Sequence, residues 1–327
     1  QKLTFYSNSV LNPLQQEFAN ILGQLSGCDG YELFLCNSGT EANENALKLA
    51  SFHTGKKKVI AFQKGFHGRT SAAVNVTDNP KIKSPLNLGF PVELLPYNDI
   101  STVEKSLSNN DVAAVILEAV QGIGGINLAT KEFLQQLQFL CKKHQSVLIL
   151  DEVQAGCGRT GKFFSFQYSD IQPDLITMAK GMGNGFPIGG VLIHPKFESK
   201  FGLLGHTFGG NHLACVAGIS VLEIMESENL MENAAKTGTY LMKELSKFSD
   251  IKEVRGKGLM IGLEFDFPIN EMRNRLLYED KIFTGSSSNP NVLRLLPPLC
   301  LSQNEADFFL EKFVKQLEKV STDLVVN

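Results

Sequence analysis

Val147-Leu-Ile-Leu-Asp151-Glu-Val-Gln154 and Asp174-Leu-Ile-Thr-Met-Ala-Lys180-Gly-Met-Gly183 decide how this chain is read. Each is a short apolar run that delivers an ionisable residue at its end. Continuous apolar runs of this length suit strands buried on both faces of a parallel sheet. Asp151 and Lys180 are 29 positions apart (180 − 151). A lysine and an aspartate that both leave strand ends can reach one point above a sheet.

The same alternation extends outward from this pair. Residues 31–37, 58–62, 112–118, 147–150, 175–178 and 188–193 read as strands. Residues 40–53 read as a helix, with Ala42, Ala46, Leu49 and Ala50 on one face. Thr130 suits the N-cap of a helix striped by Phe133, Leu137, Leu140 and Cys141. Such alternation predicts an α/β fold, a mostly parallel sheet sandwiched by helices, with its ligand at the carboxyl ends of the strands. Ser38, Glu118, Asp151 and Lys180 fall at or near such ends. A helical pattern runs from 214 to 227, and the character then changes. Arg255-Gly-Lys-Gly258-Leu-Met-Ile-Gly-Leu-Glu-Phe265 reads as one strand with a glycine-rich lead-in, and 292–296 as another. Phe308, Leu310, Phe313 and Leu317 suggest a terminal helix. The expected division is a large domain over 1–228 and a smaller α+β domain over 229–327.

The 327 residues are 43% hydrophobic and 20% charged, ordinary for a globular protein. A net charge of −3 gives no electrostatic footprint for nucleic acid. No apolar run approaches the roughly 20 residues that span a bilayer. The cysteines, Cys28, Cys36, Cys141, Cys157, Cys215 and Cys300, form no CxxC pair and read as reduced core thiols of a reducing, cytoplasmic compartment, with no metal role. The chain opens at Gln1, abruptly in Leu3-Thr-Phe-Tyr6, and reads as the remainder of a longer protein, which leaves a lost organellar targeting segment open.

Several short constellations carry chemistry. Ser38-Gly-Thr-Glu-Ala-Asn43 joins a strand to a helix, where open N–H groups and the helix dipole favour a phosphate. The same residues also make a capping box, Ser38-x-x-Glu41. Phe66-His-Gly-Arg-Thr70 offers a ring that can stack on a planar cofactor and an arginine that can hold a carboxylate. Gly156-Cys-Gly-Arg-Thr-Gly161-Lys162 formally matches a nucleotide phosphate loop, but Phe163 stands where the Mg²⁺-binding hydroxyl is needed. Small and apolar neighbours around Lys180 lower an amine's pKa. Arg294, inside a strand pattern, needs an anionic partner that a carboxylate ligand would supply. An amine that condenses with an aldehyde, and a carboxylate for a ring nitrogen, suit pyridoxal phosphate chemistry.

In this order and spacing these segments, with Thr207-Phe-Gly-Gly-Asn211 and Arg294-Leu-Leu-Pro-Pro298, resemble the class III (ω-amino) aminotransferases of pyridoxal-phosphate fold type I, most closely the branch that uses acetylornithine or succinylornithine. The resemblance covers nearly the whole chain. It implies transfer of a terminal amino group to 2-oxoglutarate, giving a semialdehyde and glutamate in arginine biosynthesis, by a homodimer with shared active sites. Lys180 would bond the cofactor and move the proton, and Asp151 would pair with the ring nitrogen. Phe66 and Val153 would cover the two ring faces, with His67 also in the cofactor site. Gln154 would reach the ring hydroxyl. Ser38, Gly39 and Thr40 would hold the phosphate, joined by Thr207 from the partner subunit. Arg294 would hold the α-carboxylate, Arg69 the other carboxylate, and Glu118 would lie near Arg69.

Two departures stand out. Where many relatives carry a second Glu that masks the arginine matching Arg294, this chain has Ile123, in Glu118-Ala-Val-Gln-Gly-Ile-Gly-Gly125. The family's N-terminal segment, which completes the small domain and helps close the pocket, is not in this sequence, so weakened cofactor binding is expected. Rival readings are an ornithine δ- or 4-aminobutyrate aminotransferase and, from another class, a non-catalytic nucleotide-binding α/β protein.

Overall fold

A computed structural model describes residues 7–326, with side chains to Val320. The abrupt start at Leu3-Thr-Phe-Tyr6 lies outside the described residues. The central sheet has seven strands in the order Glu32–Cys36, Gly189–Ile193, Leu175–Met178, Val147–Asp151, Val112–Leu117, Lys58–Phe62, Val92–Leu95. Six run in one direction; Gly189–Ile193 is antiparallel to both of its neighbours. The edge strand Val92–Leu95 is short, half-buried and carries Glu93, so its sequence gives little strand signal.

The two-residue period of the strands sorts their side chains into two cores. Val115, Leu117, Leu148, Leu150 and Ile176 point to one, shared with Phe18, Leu22, Phe133, Leu137, Ile219 and Leu222 of flanking helices. Ala114, Ile116, Val147, Ile149 and Leu175 point to the other, covered by Ala42, Ala46, Leu49 and Ala50 of the Gly39–Thr54 helix. Helices therefore lie on both faces, and every position of Val112–Leu117 and Val147–Asp151 is buried. Burying each large aliphatic side chain contributes about 1.5–3 kcal/mol.

A second, antiparallel sheet orders Glu253–Lys257, Met260–Glu264, Val292–Leu295 and Gly285–Ser286. Leu241, Leu263, Phe265, Leu276, Leu293 and Phe313 form its core with the helices Leu230–Leu245, Asn270–Tyr278 and Gln303–Val326. Phe308 of the terminal helix is exposed, off the expected stripe. The expected single strand over 255–265 is a hairpin. It turns at Gly258, whose φ is +52° and where a Cβ would come within 2.4 Å of the Thr160 backbone, so only glycine fits.

The Gly156–Lys162 segment is not a phosphate loop. It precedes a single 3₁₀ turn, Ser165–Tyr168, and Lys162 Nζ donates to the Gln167 carbonyl at 3.0 Å. It serves as a joint between the sheets: Arg159 donates to the carbonyls of Leu259 and Pro297, and its own carbonyl accepts from Leu259 N–H at 3.0 Å. Five of the cysteines are buried free thiols, but Cys300 is exposed, so the core-thiol expectation fails there. Among the described residues no helix is long and apolar enough to cross a membrane.

Candidate active site

Asp151 ends its strand and is 3% exposed. A dehydrated carboxylate needs donors, and this one has them. Oδ2 accepts from Asn43 Nδ2 at 2.8 Å and meets His67 Nδ1 at 2.8 Å. Oδ1 accepts from Val153 N–H at 3.0 Å. Asn43 also donates to the His67 carbonyl at 2.7 Å and accepts from the Thr177 hydroxyl at 2.7 Å. Sequence reading gave Asn43 and Thr177 no role. They lie 108 and 26 positions from Asp151 (151 − 43; 177 − 151), and only the packing of the helix on the sheet brings the three together.

Lys180 follows the neighbouring strand, in the turn Lys180–Met182. Lys180 is exposed where it opens into a cavity, and the protein packed around it removes part of the ammonium's hydration. That desolvation lowers the ammonium's pKa; Asp151 and Glu118 oppose the shift by charge, and Arg294 adds to it. Glu118 is buried, accepts from Phe66 N–H at 3.0 Å and Gly122 N–H at 2.8 Å, and burial pushes its pKa up to about 7 against the opposing His67. It is thus tied to the backbone of the loop that carries Arg69, and no ion pair links the two side chains among the described residues.

One cavity of about 290 Å³ is lined by Gly39, Thr40, Phe66, Arg69, Asp151, Val153, Gln154 and Lys180, with Asn43, His67 and Gly68. A second, of about 450 Å³, shares Gln154 and Lys180 and extends to Leu296 and Pro298. A third, about 520 Å³, lies at the amino ends of Val147–Asp151 and Leu175–Met178, beside Lys56 and Lys196, and includes none of these residues. Ser38, just outside the lining of the first cavity, is the N-cap, its Oγ accepting from Glu41 N–H at 3.4 Å; the Glu41 carboxylate accepts from Asn37 N–H at 2.8 Å, one residue before the N-cap, so the expected reciprocal box is only half formed. The first-turn N–H groups of Gly39 and Thr40 have no acceptor within their own helix. A Cβ on Gly39 would come within 2.6 Å of Val153 Cγ1, so glycine lets this turn close on the cavity wall. Phe66 and Val153 both line the cavity, and Arg69 is exposed at it.

Arg294, on Val292–Leu295, is 8% exposed. Its Nε donates to the Ser286 carbonyl at 2.6 Å and its Nη1 to Gln154 Oε1 at 3.4 Å. Burial lowers its pKa, opposed by the charge of Glu118. Among the described residues no carboxylate hydrogen-bonds it. Ile123 is partly buried, and its carbonyl accepts from Ser288 N–H at 2.8 Å. Thr207 is exposed and lines neither cavity.

The arrangement can hold a group with an anion at the Gly39–Thr40 turn, a ring between Phe66 and Val153, a basic ring nitrogen at Asp151 and a carbonyl at Lys180. The unused acceptor capacity of Asp151 Oδ1 and an Arg294 whose hydrogen bonds go to neutral oxygens both fit that donor set.

Residues 1–317 match the family model Aminotransferase class-III. A protein named acetylornithine aminotransferase from Bacillus subtilis (strain 168) is 44% identical over 307 residues, covering 91% of this chain and 78% of its own length. One of the same name from Methanopyrus kandleri is 40% identical over 321 residues, covering 97% and 81%. A solved ornithine aminotransferase from Toxoplasma gondii, with PLP at partial occupancy in its active site, superposes with a TM-score of 0.90 at 28% identity, covering 98% of this chain and 80% of that one.

Proposed function

The chain belongs to the class III aminotransferases, and from that premise we propose that it moves the terminal amino group of N-acetylornithine, or N-succinylornithine, to 2-oxoglutarate with pyridoxal 5′-phosphate as cofactor. One observation carries the reading: Lys180, its pKa lowered by desolvation, shares a cavity with Asp151, beside a buried arginine without an anionic partner. The names of relatives at 40–44% identity support the acylated ornithine as substrate.

When bound, the cofactor supplies an electron sink for charge developing on the substrate's amine-bearing carbon. Asp151 holds a proton on the ring nitrogen. Lys180, as a neutral amine, would take up and hand on the proton of that carbon. Gly39 and Thr40 hold the phosphate with Ser38, and Thr207 reaches it from the partner subunit of a homodimer. Phe66, Val153 and Gln154, which line the same cavity, would hold the ring. Arg294 binds the α-carboxylate of glutamate or 2-oxoglutarate, and Arg69 the other carboxylate. The division into a large unit ending near residue 228 and a smaller one after it belongs to the same reading.

The test is glutamate formation from 2-oxoglutarate with acetylornithine, succinylornithine, ornithine and 4-aminobutyrate side by side. Faster turnover of an acylated ornithine supports the proposal. Preference for ornithine or 4-aminobutyrate would replace it with one of the family's other activities.

A further inference from the structure

We propose that Thr177 and Asn43 are a positioning pair that fixes which oxygen of Asp151 is offered to the cofactor's ring nitrogen. The inference rests on the pyridoxal phosphate reading above and adds two residues that act through Asp151, of which Asn43 also borders the cavity.

Thr177 is the register partner of Asp151 in the parallel sheet, so strand pairing sets its hydroxyl beside the acid. Asn43 reaches down from the Gly39–Thr54 helix. Its amide could in principle face either way, and the neighbours decide. With the carbonyl on the Thr177 hydroxyl at 2.7 Å, the NH₂ group donates to Asp151 Oδ2 at 2.8 Å and to the His67 carbonyl at 2.7 Å. Flipped, the amide oxygen would face a carboxylate oxygen and a carbonyl oxygen at those distances. All four residues are buried, Thr177 at 0% and Asn43 at 1% exposure, so a hydrogen bond left unmade among them is costly. Two side-chain donors therefore load Oδ2, whereas Oδ1 has the Val153 N–H alone. Oδ1 keeps the spare lone pair, and it is the oxygen presented to the ring.

The experiment uses the purified full chain reconstituted with pyridoxal phosphate. It reads the cofactor's dissociation constant and the pH midpoint of its visible absorption band. A ring nitrogen held less firmly protonated withdraws less charge from the Lys180 linkage, so the midpoint moves up. Thr177→Val, which keeps shape and removes the hydroxyl, is expected to weaken cofactor binding about tenfold, the effect of one buried hydrogen bond, and to raise the midpoint. Thr177→Ser restores both. Asn43→Ser shifts the midpoint in the same direction, and the double variant adds little, because both residues act through one chain of bonds. This second route stands if Thr177→Val does not fold. Wild-type constants and midpoint in either folded variant, or no restoration by Thr177→Ser, overturn the inference. A wild-type protein with no visible band would instead sink the cofactor reading, and this inference with it.

Discussion

Arg294 Nη1 rests 3.4 Å from Gln154 Oε1, so a neutral amide stands where this buried guanidinium would otherwise meet a carboxylate. An unpaired buried cation costs stability, and a ligand that supplies the anion recovers that cost on binding. Arg294→Met should therefore raise the KM for 2-oxoglutarate by about 30- to 1,000-fold, equivalent to the roughly 2–4 kcal/mol lost when a buried charge pair is truncated. Its urea midpoint should stay level or rise. A KM within threefold of wild type would show that Arg294 does not read the carboxylate.

Gly39 faces Val153 so closely that an added Cβ would sit 2.6 Å from Cγ1. Gly39→Ala must push Val153 into the cavity or lift the turn. Overpacking of this kind costs about 1–3 kcal/mol. Here the loss should appear mainly as weaker cofactor binding, by roughly tenfold, with the global melting temperature little changed. Equilibrium dialysis against pyridoxal phosphate measures it, and undiminished affinity would remove Gly39 from the phosphate turn.

Much of this site is legible because its residues end apolar runs. Asp151, Lys180 and Glu118 each close or follow a strand whose buried side chains announce it. What stays hidden depends on packing between distant segments. Asn43 sits within a motif that reads as a helix start, and nothing local shows that its amide bridges Thr177 and Asp151. The 253–264 hairpin hides because its first strand, Glu253–Lys257, carries a single apolar residue, Val254, and so reads as a polar, glycine-containing lead-in to the apolar strand that follows. The helix Asn270–Tyr278 hides because its buried positions, Met272 and Leu276, are few among polar and charged neighbours.

Glu152 is fully buried beside Asp151 and accepts from Ser165 N–H at 3.0 Å, the Ser165 hydroxyl at 2.6 Å and Phe166 N–H at 3.1 Å. Burial pushes its pKa up to about 7, above its unfolded value of 4.5. The folded state therefore binds the proton more tightly than the unfolded chain, and its contribution is complete below pH 4.5 and lost as pH rises through 7. Relative to Glu152→Gln, wild-type stability should fall across that window. A stability difference flat in pH would contradict the shift.

Arg159 links the two sheets through the carbonyls of Leu259 and Pro297. Arg159→Ala leaves both partly buried acceptors without that donor. It should lower the unfolding free energy by about 2–3 kcal/mol in urea titration. A change below 0.5 kcal/mol, within the range of ordinary surface substitutions, would show that the joint is held by packing alone.

Lys180 is proposed as the amine that bonds the cofactor. Borohydride reduction of the reconstituted protein, followed by proteolysis and mass spectrometry of the peptides, tests it most directly. A phosphopyridoxyl group is expected on the peptide containing Lys180, and none there in Lys180→Ala. A modified peptide bearing a different lysine, or no modified peptide from a protein that has bound the cofactor, would contradict it.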